Sequence, residues 1–204
     1  AETLQAITMQ SESITLIAKE RIAAEMEKLF VSEHVAQGIH YLVESGLAEY
    51  LVGAFSEHEE HFGQFTASEA VVGWAFVAYL IDDVDAVVKF YRLSKKARQF
   101  MQQTVDATKQ LTKEWTVLNS YHYEQKIIEV AFQFLEWTGS VPYYELTEIL
   151  SEKRQLPIQS MQELAVTGHD LMNWAGGKGG PWLKVALDEL LHAVLRGNVA
   201  NNVE

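Results

Sequence analysis

The side chains of this sequence that could do chemistry fall into two groups: carboxylate–imidazole clusters of the kind that hold metals, and cation-rich stretches of the kind that hold phosphate. His58-Glu59-Glu60-His61 places two imidazoles and two carboxylates in four consecutive residues. A helical zinc-protease site needs histidines at i and i+4, so that both reach one ion from one face, with Glu directly after the first. Here the second histidine arrives one residue early, and the segment reads as an exposed polar turn. His169-Asp170 has the order of a metal phosphohydrolase pair, but one pair does not complete a coordination sphere. Thr167, three residues before Asp170, instead assigns that carboxylate to a helix cap. Asp83-Val84-Asp85 could hold magnesium between two carboxylates. No glycine-serine phosphate turn precedes it at a suitable distance, and Gly139-Ser140 is followed by no Asp-x-Asp. The aspartates therefore read as a solvated helix start, and no metal is expected in this chain.

The cationic stretches carry more. Lys89 to Arg98 contains five basic residues, two aromatics and no acid, the composition of a local phosphate-binding patch or of a solvated helix face. Gly176-Gly177-Lys178-Gly179-Gly180 followed by Pro181 reads as a loop entering a helix. Such a loop lets backbone approach a ligand closely and sets free N–H groups beside the positive helix end. Lys178 and Lys184 would add to the attraction. The other reading is a tight helix–loop–helix corner packed by Trp174 and Trp182, and spacing alone does not choose between them.

These stretches need a scaffold, and the composition supplies one. The chain has 204 residues, 48% hydrophobic and 22% charged, enough for one large or two small cores and not a disordered composition. Its net charge of -12 argues by itself against a nucleic-acid partner. Acids dominate the first 60 residues, however, so any cationic surface must be local. There is no cysteine, which excludes disulfides and thiolate metal sites. No apolar run approaches the roughly 20 residues of a membrane span, and Ala1-Glu2-Thr3-Leu4 lacks the start of a signal peptide. A cytoplasmic protein without membrane contact is expected, and the missing initiator Met reads as the mark of an excised piece.

Apolar periodicity is helical throughout, and only Pro142, Pro157 and Pro181 interrupt it. An all-α chain is expected, a multi-helix elongated array or bundle without substantial sheet. Ile22, Met26, Leu29 and Phe30 mark one helix; Val35 to Glu44 marks the next, closed by Gly46 in a left-handed cap. Thr66 with Glu69, and Thr167 with Asp170, read as capping boxes, and Ser94 as the cap of a helix running toward Lys113. Residues 121 to 138 form one amphipathic run closed by Gly139. Leu156-Pro157-Ile158 reads as an extended crossover. A terminal helix has Pro181 at its first position, an inner face of Leu183, Leu187, Leu190, Leu191 and Val194, and a stop at Gly197.

Two ends of the sequence carry a resemblance. Leu156-Pro157-Ile158-Gln159-Ser160, then Glu163 to Met172 and Gly179-Gly180-Pro181-Trp182-Leu183-Lys184, closely resemble the tail of bacterial class II CCA-adding enzymes, the tRNA nucleotidyltransferases. Arg21-Ile22-Ala23-Ala24-Glu25-Met26-Glu27-Lys28 looks like the family's neck motif, Arg-Ile-x-x-Glu-x-x-Lys, and Gly46 to Leu51 resembles the element after it. The body between them matches loosely, chiefly at Leu93-Ser94-Lys95-Lys96.

The resemblance implies an enzyme of head, neck, body and tail that adds C, C and A to the tRNA 3′ end from CTP and ATP with Mg2+. The head with its Asp-x-Asp, and the Glu-Asp-x-x-Arg motif that selects the base, have no counterpart in these residues, so this fragment is expected to be catalytically inactive. The implied division is neck 1–65, body 66–155 and tail 156–204. Arg21, Glu25 and Lys28 would organise the neck from one helical face. Arg92, Lys95, Lys96, Arg98, Lys178, Gly179, Gly180 and Lys184 would hold the acceptor and T arms of tRNA. Family members commonly have Ser where this chain has Ala18, so the neck helix lacks a cap and should fray at its start. Apolar surface left by a missing head makes residues 1 to 30 a candidate homodimer surface. The alternatives are the same region of a bacterial poly(A) polymerase or partial CCA-adding enzyme, and a helical protein-interaction module without an RNA role.

Overall fold

The computed structural model describes residues 2–203. The chain forms two compact units that interleave in sequence, one of residues up to 113 with 126–143, the other of 114–125 with 144 onward. No strand occurs among the described residues, and the fold is all-α as expected.

The first unit is organised around a helix that is apolar on every side. Helices α1 (Glu2–Met9), α2 (Lys19–Phe30) and α3 (Val35–Glu44) precede α4 (Ala70–Leu80), and α5 (Val84–Tyr91), α6 (Lys95–Leu111) and α8 (Gln125–Trp137) follow it in this unit. Every residue of α4 from Val72 to Ala78 is buried. A helix without a polar face belongs in a core, and each large side chain removed from water there contributes about 1.5–3 kcal/mol. Around it lies an aromatic cluster. Phe30 meets Trp74 edge-on at 4.9 Å, Trp74 meets Tyr91 at 4.3 Å, and Phe65 meets Trp137 at 4.7 Å.

Two polar atoms enter this core with partners. The Trp74 indole N–H donates to the Glu27 carboxylate at 3.1 Å, and the Tyr91 hydroxyl donates to the Val52 carbonyl at 2.8 Å. Thr104 and Thr108 of α6 are also fully buried, their hydroxyls donating to the carbonyls of Phe100 and Thr104 one turn earlier. The approach of α2 to α4 requires a glycine. A Cβ on Gly73 would lie 2.3 Å from Phe30 Cγ and 2.7 Å from Phe30 Cβ, atoms too close to the backbone to move aside.

Helix ends follow the sequence in most places. Gly46, Gly139 and Gly197 all have positive φ where the chain leaves a helix. Ser94 caps α6 by accepting from the Ala97 N–H at 3.1 Å, and Asp83 caps α5 by accepting from Ala86 at 2.8 Å. Ala18 flanks α2 with no side-chain cap, as its methyl group dictates. Two expectations fail. The Thr66–Glu69 box does not form, because the helix begins only at Ala70 and the Glu69 carboxylate pairs with Lys126. The run 121–138 is not one helix: α7 (Val117–His122) ends where Tyr123 takes an extended conformation, and α8 starts at Gln125. Tyr123 is held against the Trp115 ring, with centroids 5.7 Å apart, so its burial in the second unit overrides the helical periodicity.

The second unit contains α7, α9 (Leu146–Arg154), α10 (Gly168–Trp174) and α11 (Trp182–Leu195). Leu156 and Ile158 of the irregular crossover pack with Leu164, Leu191, Val194 and Leu195 into its own core. Leu187 and Leu190 border that core as the expected inner face requires. Pro181 flanks α11 rather than occupying its first position, a difference of one residue. A polar knot is built on the buried Trp115 and Ser120. The Trp115 N–H donates to the Ser120 hydroxyl at 2.8 Å, that hydroxyl donates to Glu152, and the Lys153 ammonium donates to the Ser120 carbonyl at 2.8 Å. Burial lowers the Lys153 pKa against the opposing pull of Glu124.

Two outcomes test this packing. Gly73→Ala must displace Phe30 and is expected to cost about 1–3 kcal/mol, read as a lowered urea midpoint. Ala18→Ser supplies the absent cap of α2 and is expected to add up to about 1 kcal/mol, read as a raised midpoint with native circular dichroism.

Candidate nucleic-acid interface

The first cationic group sits where α5 hands over to α6. Arg92 ends α5 in a left-handed conformation (φ 55, ψ 45), which turns the chain toward Ser94 and the start of α6. Arg92, Ser94, Lys95, Lys96 and Arg98 are exposed, but the patch is not free of acids. Arg92 Nη1 donates to Glu20 Oε1 at 2.6 Å, and Arg98 Nε donates to Asp85 Oδ1 at 2.8 Å. Glu20 is held below the usual carboxylate range by its own backbone amide and by Arg92; Arg98 lowers the Asp85 pKa, and Asp85 in turn raises that of Arg98. Lys95 and Lys96 are exposed and have no hydrogen bond or ion pair among the described residues. The sequence stretch 89–98 contains no acid, yet the fold brings Glu20 from α2 and Asp85 from α5 against it.

The neck motif residues lie on α2. Lys28 Nζ and Glu25 Oε1 form a 2.8 Å ion pair, both side chains more than 70% exposed, a geometry that contributes about 0–1 kcal/mol. Arg21 is exposed and unpaired among the described residues. What ties α2 to the rest of its unit is a different set: Glu27 to Trp74, Glu20 to Arg92, and Lys19 standing 4.2 Å over the Phe90 ring. Nothing in the spacing of the motif announced these partners, which lie tens of residues away.

The second cationic group is the α10–α11 hairpin. The Thr167–Asp170 capping box starts α10, with the Thr167 N–H donating to Asp170 at 2.8 Å and the Asp170 N–H to Thr167 at 3.3 Å. Those bonds from Thr167 hold the Asp170 carboxyl below its ordinary range, so it is occupied as a cap. The loop beyond is exposed from Asn173 to Gly179. Gly176 and Gly177 both have φ of +87 and are the conformationally required glycines. Gly179 answers a steric need instead: its Cβ would lie 3.0 Å from Met172 Sδ and 3.4 Å from Leu183 Cδ1. Gly180 would meet Trp182 Cδ1 at 3.2 Å. Lys178 and Lys184 are exposed and unpaired among the described residues. Trp174 is 61% exposed and Trp182 39%; Met172, Leu183 and Trp182 pack against the loop glycines, and Trp174 does not.

The metal-like motifs are otherwise engaged. His58-Glu59-Glu60-His61 enters a 3-10 turn, Glu59–Gly63, in which the two histidine rings stack at 5.7 Å and Glu59 bonds to His40 Nδ1 at 2.8 Å. Among the described residues no group of three or more His, Cys, Asp or Glu could hold a metal ion. No helix among the described residues is long and apolar enough to cross a membrane.

Known proteins align with this arrangement along its length. A family model described as tRNA nucleotidyltransferase domain 2 matches residues 64–204, and one described as "Probable RNA and SrmB-binding site of polymerase A" matches residues 1–58. The CCA-adding enzyme of Bacillus cereus strain AH820 is 29% identical over 212 residues, covering 100% of this chain and 53% of that protein. That of Bacillus cereus strain B4264 is 30% identical over 214 residues with the same shares. The crystal structure of the Bacillus stearothermophilus CCA-adding enzyme in complex with CTP superposes with a TM-score of 0.82 at 26% identity, covering 98% of this chain and 53% of that one. The chain spans about half the length of the relatives it matches. With both cationic groups lying inside the matched regions, the chain belongs to the tRNA nucleotidyltransferase family and corresponds to the C-terminal portion of its CCA-adding members.

Proposed function

We propose that this chain is the tRNA-holding part of a CCA-adding enzyme, gripping the acceptor and T arms by backbone shape and charge while nucleotidyl transfer from CTP and ATP takes place on a head portion that these residues do not include. The observation that carries the reading is the placement of Lys95 and Lys96. They are the first two residues of a 17-residue helix whose first turn contains no acid. Cations at the positive end of a helix cost stability, about 0.3–1 kcal/mol each at low ionic strength. Fold stability alone gives no reason for them; a phosphate docked there meets two ammonium groups and the helix dipole together. Arg92 and Arg98 join the same surface when a phosphate displaces Glu20 and Asp85, an exchange made cheap by the weakness of exposed pairs. Lys178 and Lys184, beside the Gly179-Gly180 backbone, form the second contact. Sequence-independent contact of this kind suits a substrate class that shares one shape.

In this reading residues 1–65 act as neck, 66–155 as body and 156–204 as tail, with Arg21, Glu25 and Lys28 facing the upstream portion. Ile7, Met9, Leu16 and Ile17 are exposed and are the surface through which that portion, or a second copy, would pack. A tRNA substrate sets the site of action in the cytoplasm.

Replacing Lys95 and Lys96 with Gln is expected to move stability and binding in opposite directions. The urea midpoint should rise by the equivalent of about 0.6–2 kcal/mol for the two together at low ionic strength. The dependence of log Kd for tRNA on log salt, by fluorescence anisotropy, should flatten by about 1.5 as two phosphate contacts are lost; an unchanged slope removes these lysines from the interface. Incubated with tRNA lacking its terminal CCA, CTP, ATP and Mg2+, the chain is expected to incorporate no labelled nucleotide, and incorporation would place catalytic groups within these residues.

A further inference from the structure

We propose that the groove between α10, α11 and the C-terminal segment of the second unit receives one unpaired guanine base of an RNA, stacked on Trp174 and read by Glu189. The proposal deepens the RNA-holding function above and rests on it. The groove has a volume of about 810 Å3, within the range of about 300–1,000 Å3 typical of small-ligand sites. Leu171, Leu190 and Val199 give it apolar walls, and Trp174, Glu189 and Asn202 stand at its edge. Its C-terminal wall is fixed in place: Asn201 donates to the Glu163 carbonyl at 2.8 Å and accepts from the Ala165 N–H at 2.7 Å.

Trp174 is the most exposed of the five tryptophans, at 61% against 39% for Trp182 and 7% or less for Trp74, Trp115 and Trp137. An indole on an open apolar wall offers a π-face, and nucleobases stack on such faces without regard to sequence. Two polar side chains beside it are uncommitted, since the Glu189 carboxylate and the Asn202 amide have no side-chain hydrogen bond or ion pair among the described residues. A carboxylate only accepts hydrogen bonds, and guanine is the RNA base that presents two adjacent donors, N1–H and N2–H, on one edge. An apolar peptide segment in the same groove would cover that carboxylate and supply no donor, which is costly.

Residues 171–187 contain Lys178 and Lys184, bracketed by Asp170 on one side and by Asp188 and Glu189 on the other. Phosphates flanking an inserted base would meet those lysines, while Glu189 faces the base edge.

The test uses the intact chain, intrinsic tryptophan fluorescence, and guanosine 5′-monophosphate beside the adenine, cytosine and uracil nucleotides. The guanine nucleotide is expected to quench emission selectively and to compete with bound tRNA, the competition being lost in Trp174→Ala and retained in Trp174→Phe. Glu189→Gln, an exposed isosteric change, should weaken the guanine nucleotide and tRNA about tenfold without altering the salt slope set by the lysines. If tRNA binds with its normal salt dependence but the four nucleotides behave alike and Glu189→Gln has no effect, this assignment fails while the RNA grip stands. If the wild-type chain binds no tRNA, both fail. Self-association that Trp174→Ala abolishes and the guanine nucleotide does not compete with would assign the groove to a second copy and overturn the proposal.

Discussion

The first unit depends on one helix being surrounded. α4 has no polar face, so it can exist only if other elements remove all of it from water, and each neighbour is placed by that need. α2 meets it where Gly73 leaves room for Phe30, and the Trp74 indole fixes the encounter by donating to Glu27. With α2 set, Glu20 and Lys19 come to lie against Arg92 and Phe90 of the next helix. The cationic start of α6 is therefore positioned by a hydrophobic requirement two helices away.

That arrangement gives a strongly acidic chain local cationic surface, as the proposed RNA grip requires. Screening limits exposed charges to about 8–10 Å at ordinary salt, so a phosphate responds to its immediate surroundings rather than to the net charge. At Arg92 and Arg98 the surroundings include a carboxylate each, and both pairs are solvent-exposed. Such pairs orient the guanidinium groups in the free protein and yield easily to a better partner. At Lys95, Lys96, Lys178 and Lys184 no competing acid is bound among the described residues. The expensive cations, those that oppose a helix dipole or stand alone, are the ones that nothing in the fold explains.

The second unit builds a separate core from the buried crossover Leu156 and Ile158 and the inner face of α11. Its polar knot around Ser120 is fully satisfied, with no buried side-chain atom lacking a partner among the described residues. Trp174 and the loop after it, by contrast, are exposed.

The sequence by itself determined what depends on neighbours within a turn or two. Helix class, the glycine stops at Gly46, Gly139 and Gly197, the caps at Ser94 and Thr167, and the inner face of α11 were legible because a cap or an amphipathic stripe is a short-range affair. The two tail and neck strings were legible as a family resemblance for the same reason. Tertiary structure decided whatever rests on distant partners. Glu69 could look like a capping residue until Lys126 claimed it, and residues 121–138 could look like one helix until Tyr123 was buried against Trp115. The basic run looked free of acid because Glu20 lies 72 residues from Arg92. Local pattern records which conformation a segment prefers; only the packed chain shows which charge finds which partner, because that choice is made by side-chain burial across the whole unit.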